Sequence, residues 1–323
     1  MVQFYKHFLR CAFLTHAARG EKDNGITRSF IGDTVEIRGA SLVKAAEENG
    51  ELYRIAEVAP NLEDLPFILR QYFPRSRIYD EVGGLFLPMT GDKDPFYAPC
   101  RKFLERKFKP ASFDISPYVK QAADALEQNK SDKELEAAFV RGLMNRFCPH
   151  GKDIPDNIIK NCRSQLNEPT EALNPVKRVR AKRNVPKVYR FFEDAIKDEG
   201  LPKERTVTTV GHGAFSAQFH GAPVLKQLYK DPTQNVERMF ADMVRVKSVV
   251  RMVKKDTTFG GILKKPAVAG KTIIKLDLIN ASEETRDHAW SFGRGTNYRR
   301  CLAEPAILEF VKAVKAELLA RKK

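Results

Sequence analysis

Residues 291–311, SFGRGTNYRRCLAEPAILEFV, decide how this chain is read. A glycine-punctuated loop carrying arginines runs into an amphipathic helix, and a single thiol, Cys301, stands at the junction. A helix N-terminus and neighbouring cations both favour an ionised sulfur. The arrangement therefore suits a thiolate aimed at a metal, and heme iron is one metal that takes a single protein thiolate.

Working outward, the rest of the composition narrows the setting. The chain has 323 residues, enough for one large domain or two smaller ones, and 42% of them are hydrophobic, as in an ordinary globular protein. The formal net charge of +15 favours anionic partners: an acidic protein, an acidic lipid surface or nucleic acid. Five scattered cysteines, with no CxxC pair, read as a reducing, intracellular compartment rather than a disulfide framework. Cys148 and His150 lie close together, but no second pair follows at zinc-finger spacing. No apolar run is long enough to span a bilayer. The amphipathic N-terminus, VQFYKHFLRCAFLTHAARG, reads first as a surface helix and second as a peripheral membrane contact or targeting segment.

Periodicity predicts a mainly α chain with a small β portion. Residues 40–58 read as a helix, a turn at Asn49-Gly50 and a strand. In PFYAPCRKFLERKF, the positions Phe96, Cys100, Phe103, Leu104 and Phe108 make a helical stripe, with Pro95 suited to the first turn. Residues 117–129, 133–147, 203–229, 234–247 and 303–320 also have helical spacing. VVRMV, TTFGG and KTIIKLDLI read as short strands. Residues 175–190 hold seven Lys or Arg and no acid, which reads as a mobile loop or a solvated helix face. Little aromatic interleaving and no recognition motif support nucleic acid as its partner. Glycines in VGHGAFSA, mid-helix, cost about 1 kcal/mol each relative to alanine. Tight helix packing or the close approach of a flat ligand would offset that cost.

Taken together, these segments resemble the cytochrome P450 superfamily of heme-thiolate proteins, in the right order, over residues 50–323. GDKDPFYAPCRKFLERKFKP resembles helix C of that family, where an arginine, here Arg101, reaches a heme propionate; Tyr97 stands where the family often has histidine. TVTTVGHGAFSAQFHGAPVLKQLYKDP resembles the long distal helix I. VVRMVKKDTTFGGILKKPAVAGKTIIKL resembles the segment after helix K, where Arg251 would meet a propionate. FGRGTNYRRCLAEP resembles the cysteine loop, opened by Phe292, with Arg299 two residues before the thiol. The resemblance implies one trimmed heme-thiolate domain over residues 1–323, with residues 1–40 divergent. It implies heme b (iron protoporphyrin IX) between the 203–229 helix and the Cys301 loop, and Cys301 as its axial ligand. The three arginines fit that reading, because buried carboxylates need charge-assisted partners.

The departures from the family pattern are specific. The cysteine loop is about two residues longer than usual. Asn297 falls where a glycine is frequent, although Asn tolerates a left-handed backbone. Ala303 replaces the glycine two residues after the thiol. The helix K Glu-x-x-Arg positions read Arg238 and Ala241, and NASEETRDHAW is far shorter than the family meander. In helix I, the acid and alcohol that deliver protons to iron-bound dioxygen are replaced by Gly213 and Ala214, neither of which donates a proton. The Gly211–Ala214 segment would then form a distal floor. His212 reads as a packed or solvent-facing residue first and a distal base second. Trp290 reads as a core residue.

The expected activity is that of a heme-thiolate oxidoreductase on a small lipophilic substrate, through peroxide chemistry of the peroxygenase or hydroperoxide isomerase and dehydratase kind. Two alternatives stand beside it. One is a monooxygenase using dioxygen and an external, acidic redox protein. The other is a non-catalytic heme- or lipid-binding scaffold.

Overall fold

The structure is a computed structural model. It describes residues 22–23, 25–29, 34–48, 52–53, 95–148, 152–165, 174–193, 196, 199–243, 248–253, 255–268, 272–292 and 301–322. The N-terminal amphipathic segment, the Asn49-Gly50 turn, residues 244–247 and the interior of the cysteine loop lie outside the described residues. The fold is mainly α with a small sheet, and the chain divides into two compact units. One comprises residues 1–70 and 240–301, the other residues 71–239 and 302–323.

The first unit holds the sheet. Its strands are β1 (Lys22–Asp23), β2 (Ile26–Ser29), β3 (Thr34–Ile37), β4 (Leu52–Tyr53), β5 (Ser248–Val253) and β6 (Ile273–Asp277). Their spatial order is β1-β2-β3-β6-β5-β4, and every pairing is antiparallel except β3 with β6. Alternation sets the faces. Val35 and Ile37 of β3 are buried beside Ile274 and Leu276 of β6, their direct partners in register. Between them Glu36 faces Lys275 across the strands, and the ammonium lies 2.9 Å from the carboxylate. Two helices, α1 (Ala40–Glu48) and α2 (Leu278–Thr285), pack against each other. The start of α1 is held by α2 side chains: the Gly39 N–H donates to Asn280 Oδ1 at 2.7 Å and the Ala40 N–H to Glu284 Oε2 at 2.7 Å. Val43, Ala46, Phe259, Ala281 and Trp290 complete this core.

The second unit is helical. In chain order it contains α3 (Tyr97–Lys107), α4 (Ser116–Glu127), α5 (Asp132–Met144), α6 (Asp156–Cys162), α7 (Pro175–Phe191), α8 (Lys203–Lys230) and α9 (Glu304–Arg321). The longest, α8, packs chiefly on α5, α5 on α4, α7 on α6, and α9 on α4. The predicted apolar stripe of α3 is buried at all five positions, Phe96, Cys100, Phe103, Leu104 and Phe108. Aromatic edges bind the layers: Phe139 meets Phe310 at 5.6 Å between ring centroids, and Phe103 and Phe108 both meet Phe147.

The structure departs from the sequence reading in several places, among them the end of KTIIKLDLI, which turns helical at Leu278, and the unread helix Asp156–Cys162. TTFGG forms no strand beyond one bridge, Thr257 to Ala267. Phe259, Gly260 and Gly261 all have positive φ, so the chain turns there. The helix expected over 234–247 spans Val236–Asp242. Strands β1 to β3, half of the sheet, lie within residues 22–37, where the sequence reading placed no strand. The basic run is a helix, as one of its two readings had it: Ala181, Val185, Val188 and Tyr189 are buried, and the opposite side is exposed.

Candidate functional site

Cys301 begins as a residue between a loop and a helix. Residues 293–300, Arg299 among them, lie outside the described residues. The two ends of that segment are nevertheless joined, because the Cys301 N–H donates to the Phe292 carbonyl at 2.8 Å. Phe292 is itself a core side chain, packed on Phe240 at 5.1 Å between centroids and edge-on to His288. A buried aromatic thus anchors the loop on one side, and Cys301 stands at the other. The thiol is exposed and outside any disulfide. It precedes α9, whose N-cap is Ala303, so it lies outside the helix rather than at its first turn.

The other described cysteines are of a different kind. Burial pushes the thiols of Cys100 and Cys148 up to about 12. It raises that of Cys162 as well. A thiol that resists ionisation is a poor nucleophile and a poor metal ligand. Among the described cysteines, only Cys301 is exposed.

In α3, the sequence-predicted Tyr97 and Arg101 do come together. Tyr97 is buried, and Arg101 Nη1 donates to its hydroxyl at 3.4 Å. Sequence reasoning missed the third member: Arg101 Nε lies 2.8 Å from Glu105 one turn on. The i, i+4 spacing of an arginine and a glutamate on one helix was the signal available for it. Glu105 is about half exposed, 51%, so this ion pair is open to competition by another anion. Nearby, the Arg205 guanidinium lies over the Phe96 ring, 4.2 Å from its centroid. Arg251 sits in β5 opposite Ile274; only its backbone is described.

The α8 segment carries the other sequence-predicted residues. Gly211 and Ala214 are buried, and His212 and Gly213 half-buried. A Cβ at Gly211 would overlap the Tyr189 ring, and one at Gly213 would lie 3.1 Å from the Met144 methyl. Close packing against α7 and α5 therefore accounts for both glycines. Upstream, the hydroxyls of Thr206, Thr208 and Thr209 donate to backbone carbonyls at 2.7–3.0 Å.

Comparison with solved structures places this architecture. A six-coordinated cytochrome P450 from Thermus thermophilus is similar over 88% of this chain and 84% of its own, with a TM-score of 0.59 at 16% identity. P450BioI, in complex with an acyl carrier protein ligated to hexadec-9Z-enoic acid, matches 99% of this chain and 92% of its own, with a TM-score of 0.61 at 12% identity. The chain has a cytochrome P450-like fold. A third P450, from Bacillus megaterium and in complex with testosterone, gives a TM-score of 0.59 at 12% identity, over 99% and 91% of the two chains. No protein-family model matches the sequence, and no curated protein matches it either. The P450 likeness is thus carried by the fold, at sequence identities of 12–16%.

The residues present fit the group that the P450 fold implies. An exposed thiol, outside any disulfide, that follows an arginine-bearing loop has the chemistry of a heme-thiolate ligand. A half-buried arginine beside a buried tyrosine has the chemistry of a propionate partner.

Proposed function

We propose that the chain is a heme-thiolate oxidoreductase of one domain, acting on a small lipophilic substrate, with Cys301 as the iron ligand. The observation that carries this reading is the single exposed thiol among the described cysteines of a P450-like fold, with its backbone N–H tied to the Phe292 carbonyl. Bound heme would supply an iron centre whose thiolate ligand favours O–O cleavage. Cys301 would hold that ligand position. Arg101, with Tyr97 beside it and Glu105 as its present partner, would pair one propionate. Arg251 and Arg299 supply further cations by family resemblance. Phe292 fixes the entry of the cysteine loop from the core.

Peroxide is the favoured oxidant. Gly213 and Ala214 have no proton to give, and the threonine hydroxyls one to two turns upstream are engaged with backbone carbonyls. A substrate or co-substrate that brings both oxygens removes the need for a relay. The net charge of +15 favours a second reading, in which an acidic redox protein delivers electrons for dioxygen. Among the described residues no helix is long and apolar enough to cross a membrane.

The test is spectroscopic and then catalytic. Purified protein supplied with hemin should show an intense Soret band and, once reduced, a thiolate-type carbon-monoxide band that Cys301→Ala abolishes. Turnover with hydrogen peroxide or lipid hydroperoxides and no reductant should follow. A colourless protein overturns the heme assignment. Turnover only with a reductase and dioxygen overturns the peroxide reading in favour of the second.

A further inference from the structure

A cleft within the helical unit is lined by none of the residues assigned above. It is an open cleft of about 770 Å³ between α6 and α7. Lys160 of α6 and Arg180, Arg183 and Lys187 of α7 line it, and no acid does. The apolar part of the lining is Pro175, Val176 and Val179. Val176 and Val179 are 66% and 67% exposed, a high value for β-branched residues one turn apart on a helix. Asn157, Asn161 and Asn184 add amide groups, and Asn184 is held by a 3.0 Å bond to Ser164 Oγ.

We propose that this cleft docks an acidic amphipathic helix of a protein partner. Cations stand on both helices that form it, so a ligand would meet positive charge from two sides with aliphatic side chains at one end. That pattern complements a helix with a leucine stripe flanked by carboxylates. A narrow ligand seated between the two helices meets Lys160 and Arg183 from two sides, which suits a helix better than a flat bilayer. Nucleic acid would gain from the cations but nothing from the valines, and no aromatic residue lines the cleft for a base to stack on. The surrounding run, with seven basic residues in 175–190, would raise the encounter rate with such a partner.

The experiment uses the full chain and fluorescence anisotropy. The probes are a labelled amphipathic helical peptide with a leucine stripe and glutamate flanks, the same peptide with its leucines replaced by serine, vesicles with 30% phosphatidylserine, and a duplex DNA. The leucine peptide should bind best and weaken as salt rises. Arg180→Glu/Arg183→Glu should lower its affinity at least tenfold, and Val176→Ser/Val179→Ser about fivefold. Lys120→Glu/Lys133→Glu, an equal charge change on exposed lysines elsewhere, should leave affinity within twofold. The proposal fails if the serine peptide binds equally well, if both double charge reversals act alike, or if vesicles or DNA bind more tightly than the leucine peptide.

Discussion

A methyl group added at Gly211 has no room, because the Tyr189 ring already occupies the space. Overpacking of this kind typically costs about 1–3 kcal/mol. Gly211→Ala should therefore lower the urea midpoint. Gly213→Ala should lower it less, since its neighbour at 3.1 Å is the flexible end of Met144. Equal effects would mean that α7 does not press on α8 as described. Buried acids make a second prediction at this scale. Burial raises Cys100 and Cys148 from 9.0, and burial with the Asp153 hydrogen bond raises Tyr118 from 10.0, all to about 12. The folded state then keeps protons that the unfolded state releases. The stabilisation is complete below about pH 9 and is lost as pH climbs toward 12. Urea midpoints should be level from pH 7 to 9 and fall above that, less steeply in Cys100→Ala/Cys148→Ala. A fall that starts below pH 8 would rule these groups out as its cause.

The helices illustrate how much a local pattern determines. The start of α5 is written in the sequence as Ser131 followed by Glu134: the Glu134 carboxylate accepts from the Ser131 N–H at 3.0 Å and from its hydroxyl at 3.1 Å. Glu134→Ala should cost about 0.3–1.5 kcal/mol, read as a shift in the thermal midpoint, and Glu134→Gln should recover much of it. The stripe of α3 and the length of α8 were likewise legible, since helical burial repeats within a few residues. Strands β2 and β3 were not legible. Each has four residues, too few for alternation to stand out, and β3 finds its parallel partner β6 more than two hundred residues later. TTFGG misled because β-propensity could not register the positive φ of Phe259.

At the scale of the molecule, one tryptophan serves as a reporter. Trp290 is 2% exposed, its indole N–H donates to Thr285 Oγ1 at 2.9 Å, and it lies in the core of the sheet-bearing unit. Its emission follows that unit, whereas the circular dichroism signal at 222 nm is dominated by the helical one. If the chain folds as one domain, the two signals should give coincident urea transitions, and Gly211→Ala should move both together. Two separated midpoints would show independent folding units. By itself, the sequence determined the order and extent of most helices, a mainly α class, the P450 resemblance and the singling out of Cys301. These rest on short-range periodicity and on residue types. Tertiary structure alone decided that the Gly211 and Gly213 positions are filled by neighbouring side chains, that Arg101 already has a carboxylate partner, that three thiols are locked in their protonated form, and that the basic run faces a cleft. Burial and the approach of distant segments set those outcomes, and neither has a period that a linear sequence can display.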